Sequence, residues 1–91
     1  MADVVTLAVR VVGYVQGVGF RAYVRKRATQ LSLHGWAHNR TDGSVEVVAH
    51  GPADAIAHLR AILARGPMGA RVDMLIDETP PEAIPDRFEI R

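Results

Sequence analysis

The chain changes between two hydrophobic periods in a fixed order, and this order constrains its fold more than any other sequence feature. Residues 4–12 (VVTLAVRVV) alternate apolar and polar side chains with the period of two that is typical of a β-strand. The next periodic segment instead has helical spacing, with apolar residues at Phe20, Val24, Ala28 and Leu31. A loop punctuated by glycines separates the two segments. The chain is therefore predicted to begin as strand, loop and helix.

The middle of the chain predicts a β-hairpin. Residues 36–40 have the composition of a strand, and Val45, Val47 and Ala49 alternate with polar or small residues as its partner. Between them, residues 41–44 (TDGS) have the chemistry of a tight turn. Strands two and three are therefore predicted to be adjacent and antiparallel.

A second helix and two further strands complete the pattern. Pro52 is suited to the first helical position, and Gly66-Pro67 is a typical stop after Arg65. Residues 71–79 alternate again and predict a fourth strand, with Val72, Met74 and Ile76 on its apolar side. Residues 88–90 predict a short last strand at the sheet edge, after a segment that contains three prolines.

The predicted order βαββαβ is that of an α+β ferredoxin-like sandwich, an antiparallel sheet with two helices on one face. A length of 91 residues is enough for one core, so we expect one domain over residues 1–91. In this topology helix one carries the chain back, and strands one and two run in the same direction. Their C-terminal ends are therefore expected to meet at one edge of the sheet.

Composition excludes several classes of chemistry. The chain has no cysteine, which excludes disulfides, thiolate nucleophiles and thiolate metal sites, and its formal net charge is only +1. We therefore expect no nucleic-acid or membrane partner, and a monomer. The segment from Met1 to Val12 lacks a signal-peptide pattern, and no apolar run reaches the ~20 residues that span a bilayer, so a cytoplasmic location is expected.

The loop from Tyr14 to Gly19 is the strongest candidate for a binding site. Gly17 and Gly19 allow backbone N–H groups to turn inward, and the start of helix one adds unpaired N–H donors and a positive dipole end. Arg21, in the first turn, adds a planar fork that can bind two phosphate oxygens. A phosphate is the predicted guest, although such a loop also occurs as a purely structural turn and Arg21 could pair with a nearby carboxylate.

Several sequence blocks together resemble one family. They are residues 13–21 (GYVQGVGFR), 33–39 (LHGWAHN), 42–47 (DGSVEV), Gly51-Pro52 and 88–91 (FEIR). Taken with their spacing, these blocks resemble the signature of the acylphosphatase family over almost the whole chain.

The resemblance implies a metal-independent hydrolase that cleaves the carboxyl-phosphate bond of an acyl phosphate and needs no cofactor. It implies that inorganic phosphate is product and inhibitor, that Arg21 holds the phosphoryl group and that Asn39 positions the attacking water. It also implies a phosphate cradle formed by Val15, Gln16, Gly17, Val18, Gly19 and Phe20. Tyr14 departs from the basic or other polar residue that many members have there, which bears on substrate preference at the rim.

The implied chemistry needs few groups. The leaving carboxylate has a conjugate acid with a pKa near ~4, so it departs without a general acid, and phosphoryl transfer mainly requires positioning and charge stabilisation. From the residues alone, Asn39 could equally begin the turn at Thr41-Asp42.

Three alternatives stay open at this point. His34 and His38, four residues apart, would suggest a zinc pair on a helix, but Gly35-Trp36 between them and the strand pattern argue against a helix there. An RNA-binding module shares the βαββαβ order, yet strands one and three lack the aromatic residues that such modules use. The nearest alternative is a non-catalytic or carbamoyl-phosphate-handling acylphosphatase-like domain, of the kind attached to hydrogenase-maturation proteins.

Overall fold

A computed structural model describes residues 3–91. Met1 and Ala2 lie outside the described residues, and the expectation for the segment from Met1 to Val12 falls partly on these two residues. The five strands are β1 (Val4–Tyr14), β2 (His34–Asn39), β3 (Val45–Pro52), β4 (Arg71–Asp77) and β5 (Phe88–Ile90). The two helices are α1 (Phe20–Gln30) and α2 (Ala53–Arg65). Neither they nor any other helix among residues 3–91 is long and apolar enough to cross a membrane.

The strands form one sheet in the order β4-β1-β3-β2-β5. β3 lies at the centre and is antiparallel to both β1 and β2, so β1 and β2 run in the same direction, as predicted. The expectation of a purely antiparallel sheet is wrong at one edge, because β5 pairs in parallel with β2. This parallel pairing brings the chain end alongside the C-terminal half of β2.

The hydrophobic core lies between one face of the sheet and both helices, as the amphipathic patterns predict. The helices contribute Phe20, Val24, Ala28, Ile56, Leu59 and Leu63, and the central strands contribute residues such as Leu7, Val9, Val11, Val45 and Val47. Most of these side chains are completely buried. Their burial fixes α1 and α2 against the sheet and so fixes where each helix begins.

A β-bulge between β1 and β4 overturns two predictions. Gly13 does not end the first strand but continues it, with a register shift next to Val12 that leaves Asp73 without a partner. A Cβ atom at Gly13 would lie 2.0 Å from the carbonyl oxygen of Arg71, so only glycine fits this position.

The extra residue also reverses the alternation along β4. The predicted apolar face of Val72, Met74 and Ile76 does not form, because the bulge turns Leu75 toward the core with Val72 while Met74 is 54% exposed. A period-two pattern cannot reveal such a bulge in advance.

The start of α2 differs from the prediction by one residue. Pro52 is the last residue of β3 and precedes the first helical residue, Ala53, whose amide donates to the carbonyl of Asp3. Proline remains compatible with this position because it has no N–H to leave unpaired. The predicted end is confirmed, since Arg65 closes α2 and Gly66 follows it with a φ of 70°.

The opposite face of the sheet carries a smaller apolar cluster and a network of charges. Trp36 packs there with Ala8 and Val48, and its indole N–H donates to Glu46 over 2.7 Å. The guanidinium of Arg40 donates to Glu46 over 2.5 Å and to both carboxylate oxygens of Glu78 over 2.6 and 2.8 Å.

Glu78 is therefore held in this network by Arg40. Hydrogen bonds to Glu78 and Glu46 raise the pKa of Arg40. Burial raises the pKa of the Glu46 carboxyl, but hydrogen bonds from Arg40 and Trp36 outweigh it, so this pKa lies below its ordinary value. The network holds Arg40, and with it the end of β2, to the neighbouring strands.

We predict that Glu46→Gln weakens the dependence of stability on acid. Because the pKa of Glu46 is lower in the folded protein, its contribution is full above the unfolded pKa of about 4.5 and is lost as pH falls through the folded pKa. Urea unfolding at pH 7 should show a loss of about 1 kcal/mol in the variant, and a smaller decline than wild type between pH 5 and pH 3. Glu82→Gln, at an exposed position away from the network, is the control. An identical decline in wild type and the Glu46 variant would contradict this account.

Candidate active site

The loop between β1 and α1 has a backbone that only its glycines permit. Gly17 and Gly19 both have a φ of 76°, in the left-handed region, although a Cβ at either position would meet no atom within 4 Å. The conformation and not the available space therefore requires glycine here. Left-handed residues in such a loop turn successive backbone N–H groups toward a common concavity, an arrangement that binds anions.

The start of α1 adds further donors to this concavity. The first intrahelical bond runs from the N–H of Tyr23 to the carbonyl of Gly19 over 3.0 Å, so the three preceding amides have no acceptor within the helix. Among residues 3–91, no side-chain hydrogen bond caps the start of α1, and the first turn of α1 contains no acidic residue. An anion at the end of the helix is thus favoured by both hydrogen bonding and the helix dipole.

A pocket of about 180 Å³ lies at this helix end. Its walls come from the β1–α1 loop, the first turn of α1, the end of β2 and β5. The lining residues are Val15, Gly17, Gly19, Phe20, Arg21, Ala22, Asn39 and Ile90. The structure therefore brings six of the eight predicted site residues to one pocket, and among them are Arg21 and Asn39, which are 18 positions apart in the sequence.

The side chains of the two remaining predicted residues, Gln16 and Val18, do not line the pocket. Val18 is half-buried and packs against the hydrophobic core. The carboxamide of Gln16 points away and donates to the carbonyls of Arg40 and Ser44 over 2.7 and 2.9 Å. The side chain of Gln16 thus ties the loop to the turn that follows Asn39.

The strand geometry explains why Asn39 faces the pocket. Side chains alternate along β2, and Ala37 belongs to the core beneath the helices while Trp36 belongs to the opposite face. Asn39 lies on the same side as Ala37 and is opposite Val45, the first residue of β3. Its carboxamide therefore reaches the pocket from the sheet side, facing the start of α1.

Arg21 reaches the pocket from the helix side and is held by a contact that the sequence did not suggest. Its Nη1 donates to the backbone carbonyl of Arg91 over 2.9 Å. A guanidinium has five N–H donors, so this contact fixes the orientation of the planar group and leaves other donors free for an anion. Ile90 and Arg91 were missed as site residues because the position of β5 cannot be read from local sequence.

The turn after Asn39 has its own internal hydrogen bonds. The N–H of Arg40 donates to the carbonyl of Ser44, and the N–H and hydroxyl of Ser44 donate to Asp42. The hydrogen bonds from Ser44 hold the pKa of Asp42 below its ordinary value. The turn to which Gln16 is hydrogen-bonded is thus also held by hydrogen bonds of its own.

The histidines lie away from this pocket. His34 and His38 are four residues apart on an extended strand, which separates them by roughly 13 Å and prevents them from sharing a metal ion. Within residues 3–91, no three histidine, aspartate or glutamate side chains are grouped so that they could hold one.

Comparison with known proteins identifies relatives of one family. The acylphosphatase family model matches residues 7–90. An acylphosphatase from Nitratidesulfovibrio vulgaris is 44% identical over 84 residues, which cover 89% of this chain and 84% of that protein. The solved structure of an acylphosphatase from Coxiella burnetii superposes with a TM-score of 0.86 at 37% identity, covering 98% of this chain and 94% of that one.

The same fold also occurs inside a much longer protein. The crystal structure of HypF from T. kodakarensis matches with a TM-score of 0.81 at 30% identity, covering 93% of this chain but only 11% of that one.

We predict that Gln16→Ala loosens the pocket. The carbonyls of Arg40 and Ser44 would lose one donor each, so the free energy of unfolding should fall by about 1–2 kcal/mol. Because the loop would no longer be tied to the end of β2, affinity for inorganic phosphate should fall severalfold. Urea unfolding and isothermal titration calorimetry measure the two effects. Gln30→Ala, at an exposed position on α1, is the matched control, and equal phosphate affinity in both variants would refute the role of Gln16.

Proposed function

We propose that this chain, which belongs to the acylphosphatase family, hydrolyses acyl phosphates to a carboxylate and inorganic phosphate in the pocket at the start of α1. It is an enzyme of that family and a hydrolase. The single observation that supports this reaction in this pocket is that Arg21 and Asn39 line it together with Gly17 and Gly19.

The phosphoryl group binds to the amides of residues 15–20 and to the guanidinium of Arg21. The left-handed glycines and the uncapped helix end support this step, since both direct N–H donors toward an anion. Arg21 contributes a fixed positive charge, held in place by the carbonyl of Arg91. Charge-assisted hydrogen bonds of this kind stabilise the equatorial oxygens of the transferred group as charge shifts in the transition state.

Asn39 holds the attacking water. Its carboxamide can both accept from and donate to a water molecule, and it approaches the pocket from the side opposite α1. A water fixed there attacks phosphorus in line with the bond to the acyl oxygen, and its proton passes to an oxygen of the phosphoryl group itself. Positioning of this kind lowers the barrier without a catalytic base.

The leaving group needs no protonation. Breaking the bond between phosphorus and the acyl oxygen releases a carboxylate, whose conjugate acid has a pKa near ~4. In the described chain, the residues that line the pocket are apolar or neutral apart from Arg21, and include no carboxylic acid or histidine. That composition suits an acyl phosphate better than a phosphate monoester, whose poorer leaving group calls for a general acid.

All groups needed for this reaction come from one chain, which supports a monomer as the active unit. Inorganic phosphate, the second product, occupies the same donors as the phosphoryl group and should inhibit in competition with substrate. The reaction as proposed uses no cofactor.

A second candidate is a non-catalytic or carbamoyl-phosphate-handling domain. The observation that favours it is the match to HypF, in which this fold is a small part of a long chain. A non-catalytic domain would bind inorganic phosphate but turn over no acyl phosphate, and a dedicated carbamoyl-phosphate domain would turn over carbamoyl phosphate and leave benzoyl phosphate intact.

Asn39→Ala should nearly abolish hydrolysis of benzoyl phosphate and leave binding of inorganic phosphate intact. Loss of an ordered nucleophile is expected to lower kcat by at least about 10²-fold. His38→Ala is the matched control, because His38 lies next to Asn39 but on the opposite face of the sheet. Steady-state kinetics measures the loss of turnover, and phosphate titration measures whether binding is retained. Normal turnover in the Asn39 variant would remove that residue from the mechanism.

Arg21→Gln should weaken both phosphate binding and turnover. The loss of two charge-assisted hydrogen bonds predicts an inhibition constant for inorganic phosphate that is roughly 10- to 100-fold higher, with a comparable or larger fall in kcat/KM. Arg65→Gln, at the exposed end of α2, controls for the change in net charge. If inhibition by phosphate is unchanged in the Arg21 variant, Arg21 does not hold the phosphoryl group.

A further inference from the structure

A second pocket adjoins the phosphate pocket between α1 and β5. Its volume is about 480 Å³, and it is lined by Arg25, Arg87, Phe88, Glu89 and Ile90. Ile90 lines both pockets, so the two lie next to each other. Arg25 lies four residues, or about 6 Å along the axis, beyond Arg21 and therefore on the same side of α1.

The charges around this second pocket are unequal. Glu89 is engaged by Arg91 over 3.0 Å and by Arg87 over 3.3 Å, and the hydrogen bond from Arg91 is the main reason that its pKa lies below its ordinary value. Within the part of the chain that the structure describes, Arg25 forms no ion pair. The pocket is therefore lined by two arginines and one carboxylate, that of Glu89. This carboxylate is also bound by Arg91, which does not line the pocket.

We propose that this second pocket is the subsite for the acyl group, and that Arg25 and Arg87 favour acyl phosphates whose acyl group carries a second negative charge at its far end. The proposal rests on the proposed function. Arg21 and the loop amides hold the phosphoryl group, so the acyl group bonded to it must extend away from them, toward adjoining space. The space across Ile90 is mainly polar, with the side chain of Ile90 for contact with the chain or ring of the acyl group and arginines for a terminal carboxylate.

The expected selectivity is modest because the arginines are solvated. The side chain of Arg87 is 78% exposed, and Arg25 is also exposed. Exposed ion pairs supply a factor of about two to five in affinity for each arginine. A contact of this kind acts on bound substrate and transition state alike, so it should change KM and leave kcat nearly constant.

The experiment compares 4-carboxybenzoyl phosphate with 4-carbamoylbenzoyl phosphate, which has the same shape and lacks the second charge. In both compounds, the substituent at position 4 of the ring is too far from the acyl phosphate to attack it. Wild type should have the lower KM for the carboxylate substrate. Arg25→Gln and Arg87→Gln should each raise that KM about two- to fivefold, with a smaller change for the carbamoyl substrate, and added salt should reduce the difference.

Lys26→Gln is the matched control, because it removes one positive charge from the adjacent position of α1, which does not line the pocket. If Arg25→Gln and Lys26→Gln change the two KM values equally, the subsite is overturned while the proposed function stands. If wild type hydrolyses neither substrate, nor benzoyl phosphate, the proposed function fails and this inference with it. A larger rise in KM for the carboxylate substrate than for the carbamoyl substrate, in the Arg25 and Arg87 variants, supports the subsite.

Discussion

The position of β3 between β1 and β2 is the constraint on which the rest of the structure depends. Because β3 is antiparallel to both neighbours, β1 and β2 must end at the same edge of the sheet. The loop after β1 and the last residue of β2 are thereby brought together, and α1 must begin there to cover the sheet. Gln16 then closes the arrangement by bonding to the carbonyls of Arg40 and Ser44.

Charge is distributed over the two faces of the sheet in a way that suits an anionic guest. On the open face, the carboxylates of Glu46 and Glu78 are paired with Arg40, and Glu78 also lies 3.7 Å from Arg10. On the helix side, the pocket at the start of α1 has Arg21 and backbone donors as its polar groups, with the carboxamide of Asn39. Because Glu46 and Glu78 are held on the other face, a phosphate near α1 meets little repulsion from them.

Much of this organisation could be predicted from the sequence, because it depends on periodicity and topology. Element order followed from alternation and helical spacing, and topology was enough to predict that the glycine loop and Asn39 lie near each other. The bulge at Gly13 could not be predicted, because one extra residue in β4 does not show in the hydrophobic pattern of the sequence. It nevertheless places Leu75 against the core instead of the predicted Met74. The contacts of Gln16 and Glu78 were also unpredictable, as they join residues distant in sequence by way of side chains.

The most direct test of the central claim is to compare kcat/KM of the purified protein for benzoyl phosphate and for phenyl phosphate. The two substrates present the same phosphoryl group to Arg21 and the loop amides, but they differ in leaving group, a carboxylate against a phenolate. A pocket without a general acid should favour benzoyl phosphate by at least about 10²-fold, the factor that proton donation to the leaving group typically contributes. Comparable values for the two substrates would contradict the account, because hydrolysis would then depend on a proton donor that this pocket does not contain.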